Sequence, residues 1–454
     1  MKPQDPCRVL ADIAGLSVFS NLGSHPLVKA LARVLTPLSP DRASGKDLPR
    51  ELLEGWAAFT GAFFLYNPGN SFYTALAALT LGDENPFTRA AEGARVPPLL
   101  EAVTRVDLSR LGRIARFDVS GLGFYIAAIL RDGGLEEAAR DCEETARALW
   151  IAEGTEAAEG FGNSEGATVF PHGSDWGEAL PAVVDYIALR GAGLLGQYHA
   201  FYWGARGSLS PVRNPDPVGL SGLSGYEEQR SLVVSNTRRF IERKPANNLL
   251  LYGDRGTGKS ATVKAVCNEF APRGLRLLEL RKSDLSQLPV ILETLASRSS
   301  RFVIFIDDLS FESTDDSFTT LKALLEGGVE AKPANAVVYA TSNRRHLVKE
   351  RFSDRPAAAV DGEVRAFDTM QEQFSLADRF GLTVVFTTPT QEEYLEIACF
   401  IAEKRGILKA GDEGARKTFR ENALRWERWF NGRSPRTAVQ YADWVEGGKG
   451  FPWE

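Results

Sequence analysis

Leu249-Leu250-Leu251-Tyr252-Gly253-Asp254-Arg255-Gly256-Thr257-Gly258-Lys259-Ser260 is an apolar run that breaks into glycines and ends on a lysine and a hydroxyl. Gly253 to Ser260 matches GxxxxGK[ST] without relaxation, behind an expected strand at Leu249–Tyr252 and ahead of an expected helix. In that setting the spacing cradles phosphate groups. The glycines let backbone N–H groups turn inward. The helix N-terminus adds favourable dipole charge. Lys259 is the cation for β- and γ-phosphates, and the Ser260 hydroxyl is a magnesium ligand.

Short apolar runs recur on either side of that loop, at Leu275–Leu280, Phe302–Asp307, Ala336–Ser342 and Thr383–Phe386, with helical stretches between them. Near-continuous apolar runs suit parallel strands covered on both faces, and strand–helix alternation predicts an α/β fold. The run from Phe302 ends on Asp307-Asp308, which places two carboxylates at the carboxyl end of a strand, where such sheets hold ligands. Asp307 is the expected magnesium holder. Asp308 is expected to orient or deprotonate a water. The next strand ends on Asn343, whose amide sits where it can position that water. After Pro389 the strands stop. Thr390 with Glu393 forms a capping box, and helices are expected near 391–405, 412–431 and 435–446.

The 454 residues carry 44% apolar and 25% charged residues, the ordinary globular mix. Net charge is −6, which disfavours a phosphate polymer or anionic lipid as partner of the whole molecule. Residues 1–210 hold 18 Lys and Arg against 25 Asp and Glu, a net of −7, and the remainder 35 against 34, a net of +1. Residues 1–206 read as helices. Ser71 or Asn70 caps one running to Leu81. Another covers Leu99 to Phe117. Glu136 to Ile151 shows a stripe at Ala139, Cys142, Ala146 and Leu149. A further helix runs from Asp175 toward Trp203. Three prolines in Pro211-Val212-Arg213-Asn214-Pro215-Asp216-Pro217 deny regular structure and mark 207–219 as a linker. Nucleotide-binding and lid domains then follow at 220–388 and 389–454. Cys7, Cys142, Cys267 and Cys399 lack metal-site spacing and read as reduced thiols, as in the cytoplasm. The first residues do not form a signal peptide. The uncharged stretch from Trp56 to Tyr66 is too short to cross a bilayer.

These motifs resemble the AAA+ ATPases. The resemblance implies a five-stranded parallel sheet with helices on both faces, a helical lid, and ATP with Mg²⁺ as ligands. Gly253–Ser260 is the counterpart of Walker A, Asp307-Asp308 of Walker B and Asn343 of sensor 1. Arg379 within Asp378-Arg379-Phe380-Gly381 resembles the arginine finger, and Arg436 within Gly432-Arg433-Ser434-Pro435-Arg436 resembles sensor 2. A finger acting on the next subunit implies a head-to-tail homo-oligomer. Asp308 stands where many AAA+ proteins carry glutamate, which implies slow turnover. The segments ANNLLLYGDRGTGKS, FIDDLSF, YATSNRRHLV and SLADRFGL are similar to the bacterial family filed as domain of unknown function 815.

Gly222-Leu223-Ser224-Gly225-Tyr226 sits where AAA+ proteins hold adenine, and reads equally as turn chemistry. Arg344-Arg345-His346 has two readings, a contact to a neighbouring subunit and solvated helix-start charges. His25, His172 and His199 read as structural. The Ser353–Asp368 insert reads as a surface loop. The helical region reads either as the recognition module for a protein partner or as support for an oligomer. Nucleic acid is the less favoured partner, for lack of a Lys/Arg stripe.

Overall fold

The computed structural model describes residues 5–40, 47–66, 71–159, 169–205, 207–310, 320–322, 325, 333–343, 379–409, 411–430 and 432–448. The 344–346 triplet, the 353–368 insert, Asn70 and Asp378 lie outside them. The chain forms two compact units, Met1–Gln197 and Tyr198–Glu454.

In the first unit the described elements are helical: α1 (Pro6–Ala14), α2 (Ser20–Gly23), α3 (Pro26–Leu35), α4 (Leu48–Tyr66), α5 (Phe72–Gly82), α6 (Pro86–Glu92), α7 (Pro98–Ala115), α8 (Val119–Asp132), α9 (Glu136–Glu159), α10 (Leu180–Arg190) and α11 (Leu194–Gln197). Ser71 caps α5 by accepting from Thr74 N, and Asn85 with Thr88 closes a capping box on α6. Leu31, Val34, Phe59, Leu108, Leu111, Ile126 and Leu130 are fully buried in one core. The α9 stripe of Ala139, Cys142, Ala146 and Leu149 faces that core. A Cβ on Gly123 would come within 2.7 Å of both Ala146 and Trp56, so helices α4, α8 and α9 meet at a glycine.

The second unit is built on a seven-stranded sheet of order β2-β1-β4-β5-β6-β3-β7. Its strands are β1 (Ala200–Gly204), β2 (Ser208–Pro211), β3 (Leu249–Gly253), β4 (Leu275–Leu280), β5 (Arg301–Ile306), β6 (Ala336–Ser342) and β7 (Leu382–Phe386). The five expected parallel strands are β3 to β7. Two more extend the sheet beyond the expected five, and they correct two readings. The helix expected to reach Trp203 stops at Arg190, and residues 200–204 are strand: Phe201 and Trp203 are buried while Tyr202 is 44% exposed, a two-residue period. The expected linker begins instead with β2, paired antiparallel to β1. Its proline is tolerated because β2 is an edge strand.

Strand β1 runs parallel to β4, Phe201 opposite Leu278. Val303 and Phe305 of β5 pack with one set of helices, and Phe302, Ile304 and Ile306 are equally buried on the other face. Helices α12 (Glu227–Ile241), α13 (Lys259–Phe270) and α14 (Leu288–Ala296) connect the strands. The lid is α15 (Gln391–Lys404), α16 (Glu413–Trp429) and α17 (Pro435–Glu446), around a core of Tyr394, Ala398, Phe419, Trp426 and Tyr441. The Thr390–Glu393 capping box opens it.

Candidate active site

Three strand ends converge. Strand β3 lies between β6 and β7, and β5 lies beyond β6. The glycine loop after β3 therefore faces the carboxylates after β5 and the amide after β6. Gly253 has φ +139°, and a Cβ there would fall 1.9 Å from Phe386 O; only glycine lets β3 and β7 approach so closely. Gly256 and Gly258 are left-handed at +78° and +89°, which turns the loop into the start of α13.

Lys259 opens α13 and is 6% exposed. Its Nζ donates to Gly253 O at 2.9 Å, to Asp254 O at 2.7 Å and to Asn343 Oδ1 at 3.2 Å. Burial lowers its pKa, against the pull of Asp254, Asp308 and Asp307. Asn343 Nδ2 in turn donates to Asp308 Oδ1 at 2.6 Å. The phosphate-loop lysine, the amide and the second aspartate thus form one chain. Beside it, Asp307 Oδ1 accepts from Ser260 Oγ at 2.6 Å and from Thr341 Oγ1 at 2.5 Å. Thr341 Oγ1 also accepts from Asp308 N at 2.9 Å. Asp308 sits at φ +51°, a left-handed conformation that aspartate tolerates better than most residues.

Arg255 to Ala261, Asp307, Asp308, Thr341, Asn343 and Arg436 line a cavity of about 670 Å³. The lid reaches it directly: Arg436 N donates to Gly256 O at 3.2 Å. A second cavity of about 380 Å³ is lined by Gly222–Tyr226, Ile397, Phe400 and Ile401, and shares Leu223, Thr257, Gly258, Pro435 and Val439 with the first. Its apolar walls suit a flat base beside a polyphosphate. The Ser260 hydroxyl and Asp307 carboxylate are hard oxygen donors that fit Mg²⁺, which takes one or two protein ligands and fills the rest with phosphate and water.

Two expected residues stand elsewhere. Asp254 points its carboxylate at Thr388, whose N and Oγ1 donate to Oδ2 at 2.9 and 2.5 Å. Arg379 lies in the turn entering β7, and Leu382 pairs with Leu249 at the start of β3, so Arg379 is at the far end of the sheet from the phosphate loop. Thr341 and Thr388 were not expected. The only signal for Thr341 was a hydroxyl pair, Thr341-Ser342, closing an apolar strand.

The chain is 30% identical over 128 residues to "Replication factor C subunit 3" of Blastobotrys adeninivorans, covering 26% of this chain and 37% of that protein. It is 29% identical over 119 residues to "Replication factor C large subunit" of Thermofilum pendens, covering 24% and 28%. It thus spans about a third of the length of these curated relatives. Among solved structures, the Thermotoga maritima RuvB Holliday junction branch migration motor aligns with TM-score 0.30 and 14% identity, covering 50% of this chain and 72% of that one. Aeropyrum pernix ORC1 in complex with DNA aligns with TM-score 0.34 and 14% identity, covering 50% and 62%. A family model matches residues 196–449, the second unit but for its last five residues, and by that match the chain belongs to the family described as protein of unknown function (DUF815).

Proposed function

We propose that the second unit binds ATP with Mg²⁺ and hydrolyses it to ADP and phosphate. The observation that carries this is the Lys259–Asn343–Asp308 chain on the rim of the cavity. Lys259 exchanges the Gly253 and Asp254 carbonyls for the β- and γ-phosphates. Ser260 and Asp307 would hold Mg²⁺, which would neutralise charge on the phosphate oxygens. Asn343 holds Asp308 in place, and Asp308 takes a proton from the water attacking the γ-phosphorus as the bond to the β-phosphate oxygen breaks. Arg436 supplies positive charge from the lid, and the second cavity takes the base. Asp308 in place of glutamate supports slow turnover, and an ATP-gated switch is the second reading. Steady-state phosphate release separates the two.

Arg379 is too far across the sheet to serve its own site, which supports a role on a neighbouring subunit and hence a homo-oligomer. The first unit, acidic and without a catalytic constellation among its described residues, is the proposed seat of protein recognition. Among the described residues no helix is long and apolar enough to cross a membrane.

The test uses Lys259→Ala and Arg379→Ala. MgATP at 100 times its dissociation constant stabilises the intact protein by about 2.7 kcal/mol, read as a thermal shift that Lys259→Ala loses. Mixing the two inactive variants restores part of the ATPase, because one interface then joins an intact loop to an intact finger. An undiminished shift in Lys259→Ala rejects the site. Failure of mixing, with both variants still assembling, rejects the trans role.

A further inference from the structure

The opposite end of the sheet from the phosphate loop carries a cluster of positive charge, four of whose cations lie within residues 238–244 while two arrive from other elements. Arg238 and Arg239 end α12, Arg243 and Lys244 follow it, Arg273 precedes β4, and Arg301 opens β5. The fold brings them together. Arg301 N donates to Gly274 O, so Arg301 lies beside the turn bearing Arg273. The Arg301 guanidinium stacks over Phe240 of α12 at 4.8 Å, and Arg273 over Phe270 at 5.5 Å. Glu242 is the carboxylate that the described structure places among them. It pairs with Lys244 at 2.8 Å and lies in the field of Arg273 and Arg238.

Three features set this cluster apart from ordinary solvated charge. Arg243 occupies the left-handed position after a helix (φ +59°), where the Lys244 N–H returns to Arg239 O. Glycine is the usual occupant there, so the arginine is kept against backbone preference. Arg301 is crowded by a like charge: burial first, and Arg243 second, push its pKa down. A bound anion relieves such crowding. Finally, the cations are arginines in five of six cases, and two of those are held over rings; the guanidinium is a planar fork suited to phosphate.

We propose that this rim binds the phosphate backbone of duplex nucleic acid, without reading sequence. An acidic protein is the rival, but protein interfaces are anchored by exposed apolar side chains. Among the described residues, the large exposed apolar side chains of this unit are Tyr202, Leu232, Val290, Val385 and Trp429, none of them within residues 238–244 or beside Arg273 and Arg301. The same observation argues against single strands, which need exposed aromatic rings for base stacking. A net charge of −6 on the whole chain makes the binding weak and strongly dependent on salt.

The test is binding of the full chain to a fluorescent random-sequence duplex across a salt series. Six cations give a log–log slope of up to about −5. Arg243→Gln and Arg273→Gln, both exposed, each lower the slope by about 1 and weaken binding several-fold at low salt, whatever the sequence. Their MgATP thermal shift stays intact, which keeps this result separate from the nucleotide site. Three competitors complete the experiment: single strand, polyglutamate and inorganic phosphate at matched ionic strength. Unchanged slopes in both variants overturn the proposal. So does displacement of duplex by polyglutamate at equal charge, which assigns the rim to an acidic protein. Displacement by inorganic phosphate alone assigns it to a free anion and equally overturns the polymer, as does a preference for single strand.

Discussion

At the scale of single residues, Asp308 is fixed at the site in three ways. Its carboxylate holds the Asn343 amide, its N–H is held by Thr341, and its backbone is left-handed. Asn is the informative replacement, because it tolerates that backbone as aspartate does and keeps the shape while losing the proposed base. Asp308→Asn should retain the MgATP thermal shift and lose turnover by roughly 10²–10⁴-fold, the usual worth of a positioned base. Phosphate release at saturating MgATP measures it, and normal turnover would move the proton to another acceptor. The phosphate loop and the aspartate pair were legible because each is contiguous and each residue type is dictated by its task. The partner they share was not. Thr341 meets them across strands, and a lateral contact of that kind leaves no spacing to read.

Among elements, the joint between β7 and α15 decides where the lid stands. The phosphate loop is bonded both to the segment entering the lid and to the lid itself: Asp254 takes two hydrogen bonds from Thr388, and Gly256 O accepts from Arg436 N at the start of α17. Tyr226 adds a third tie. Its hydroxyl donates to Thr387 O at 2.7 Å, and its pKa is pushed up to about 12 by burial, with Glu393 and Asp254 adding to it. Asp254 and Thr388 are exposed, so their bond is screened by water and contributes little to global stability. Its role is local: it ties the phosphate loop to the segment that leads into the lid. Asp254→Ala should leave the thermal midpoint nearly unchanged while raising KM for ATP several-fold. Asp254→Asn, which keeps an acceptor for Thr388, should restore most of it. A fall in midpoint with KM unmoved would make Asp254 a merely structural cap. Strands β3, β5 and β6 were legible because burial on both faces writes a nearly unbroken apolar run, and β4 and the edge strand β7 because their short apolar stretches keep the same spacing between helices. Strands β1 and β2 were not: Ala200–Gly204 was read as the end of a helix that the left-handed Gly191 and Gly193 in fact stop, and the prolines after Leu209 hid a short edge strand behind a linker signature.

For the whole molecule, the place where the two units divide is a physical question with a sharp answer. Proline content points to a cut near Pro217, whereas contact density divides the chain between Gln197 and Tyr198. A chain starting at Pro217 loses β1 and β2. Phe201, fully buried, and Trp203, 6% exposed, leave the core with them. So do the His199 carbonyl that accepts from Leu277 N at 2.8 Å and the Trp203 Nε1 bond to Gln287 at 2.8 Å. Truncating one large buried aromatic to alanine costs about 3–5 kcal/mol. Removing both approaches the roughly 5–15 kcal/mol that holds a domain folded, and it bares the β4 edge to aggregation. Residues 198–454 should therefore fold, bind MgATP with near-native affinity and melt in one cooperative step, while residues 217–454 should be insoluble or unfold at a much lower temperature. Circular dichroism melts with and without MgATP decide it. The longer fragment then tests the first unit: if it assembles and hydrolyses ATP but no longer retains a protein partner captured by the full chain, recognition resides in the helices. If it fails to assemble although folded, those helices build the oligomer, and the proposed recognition role falls.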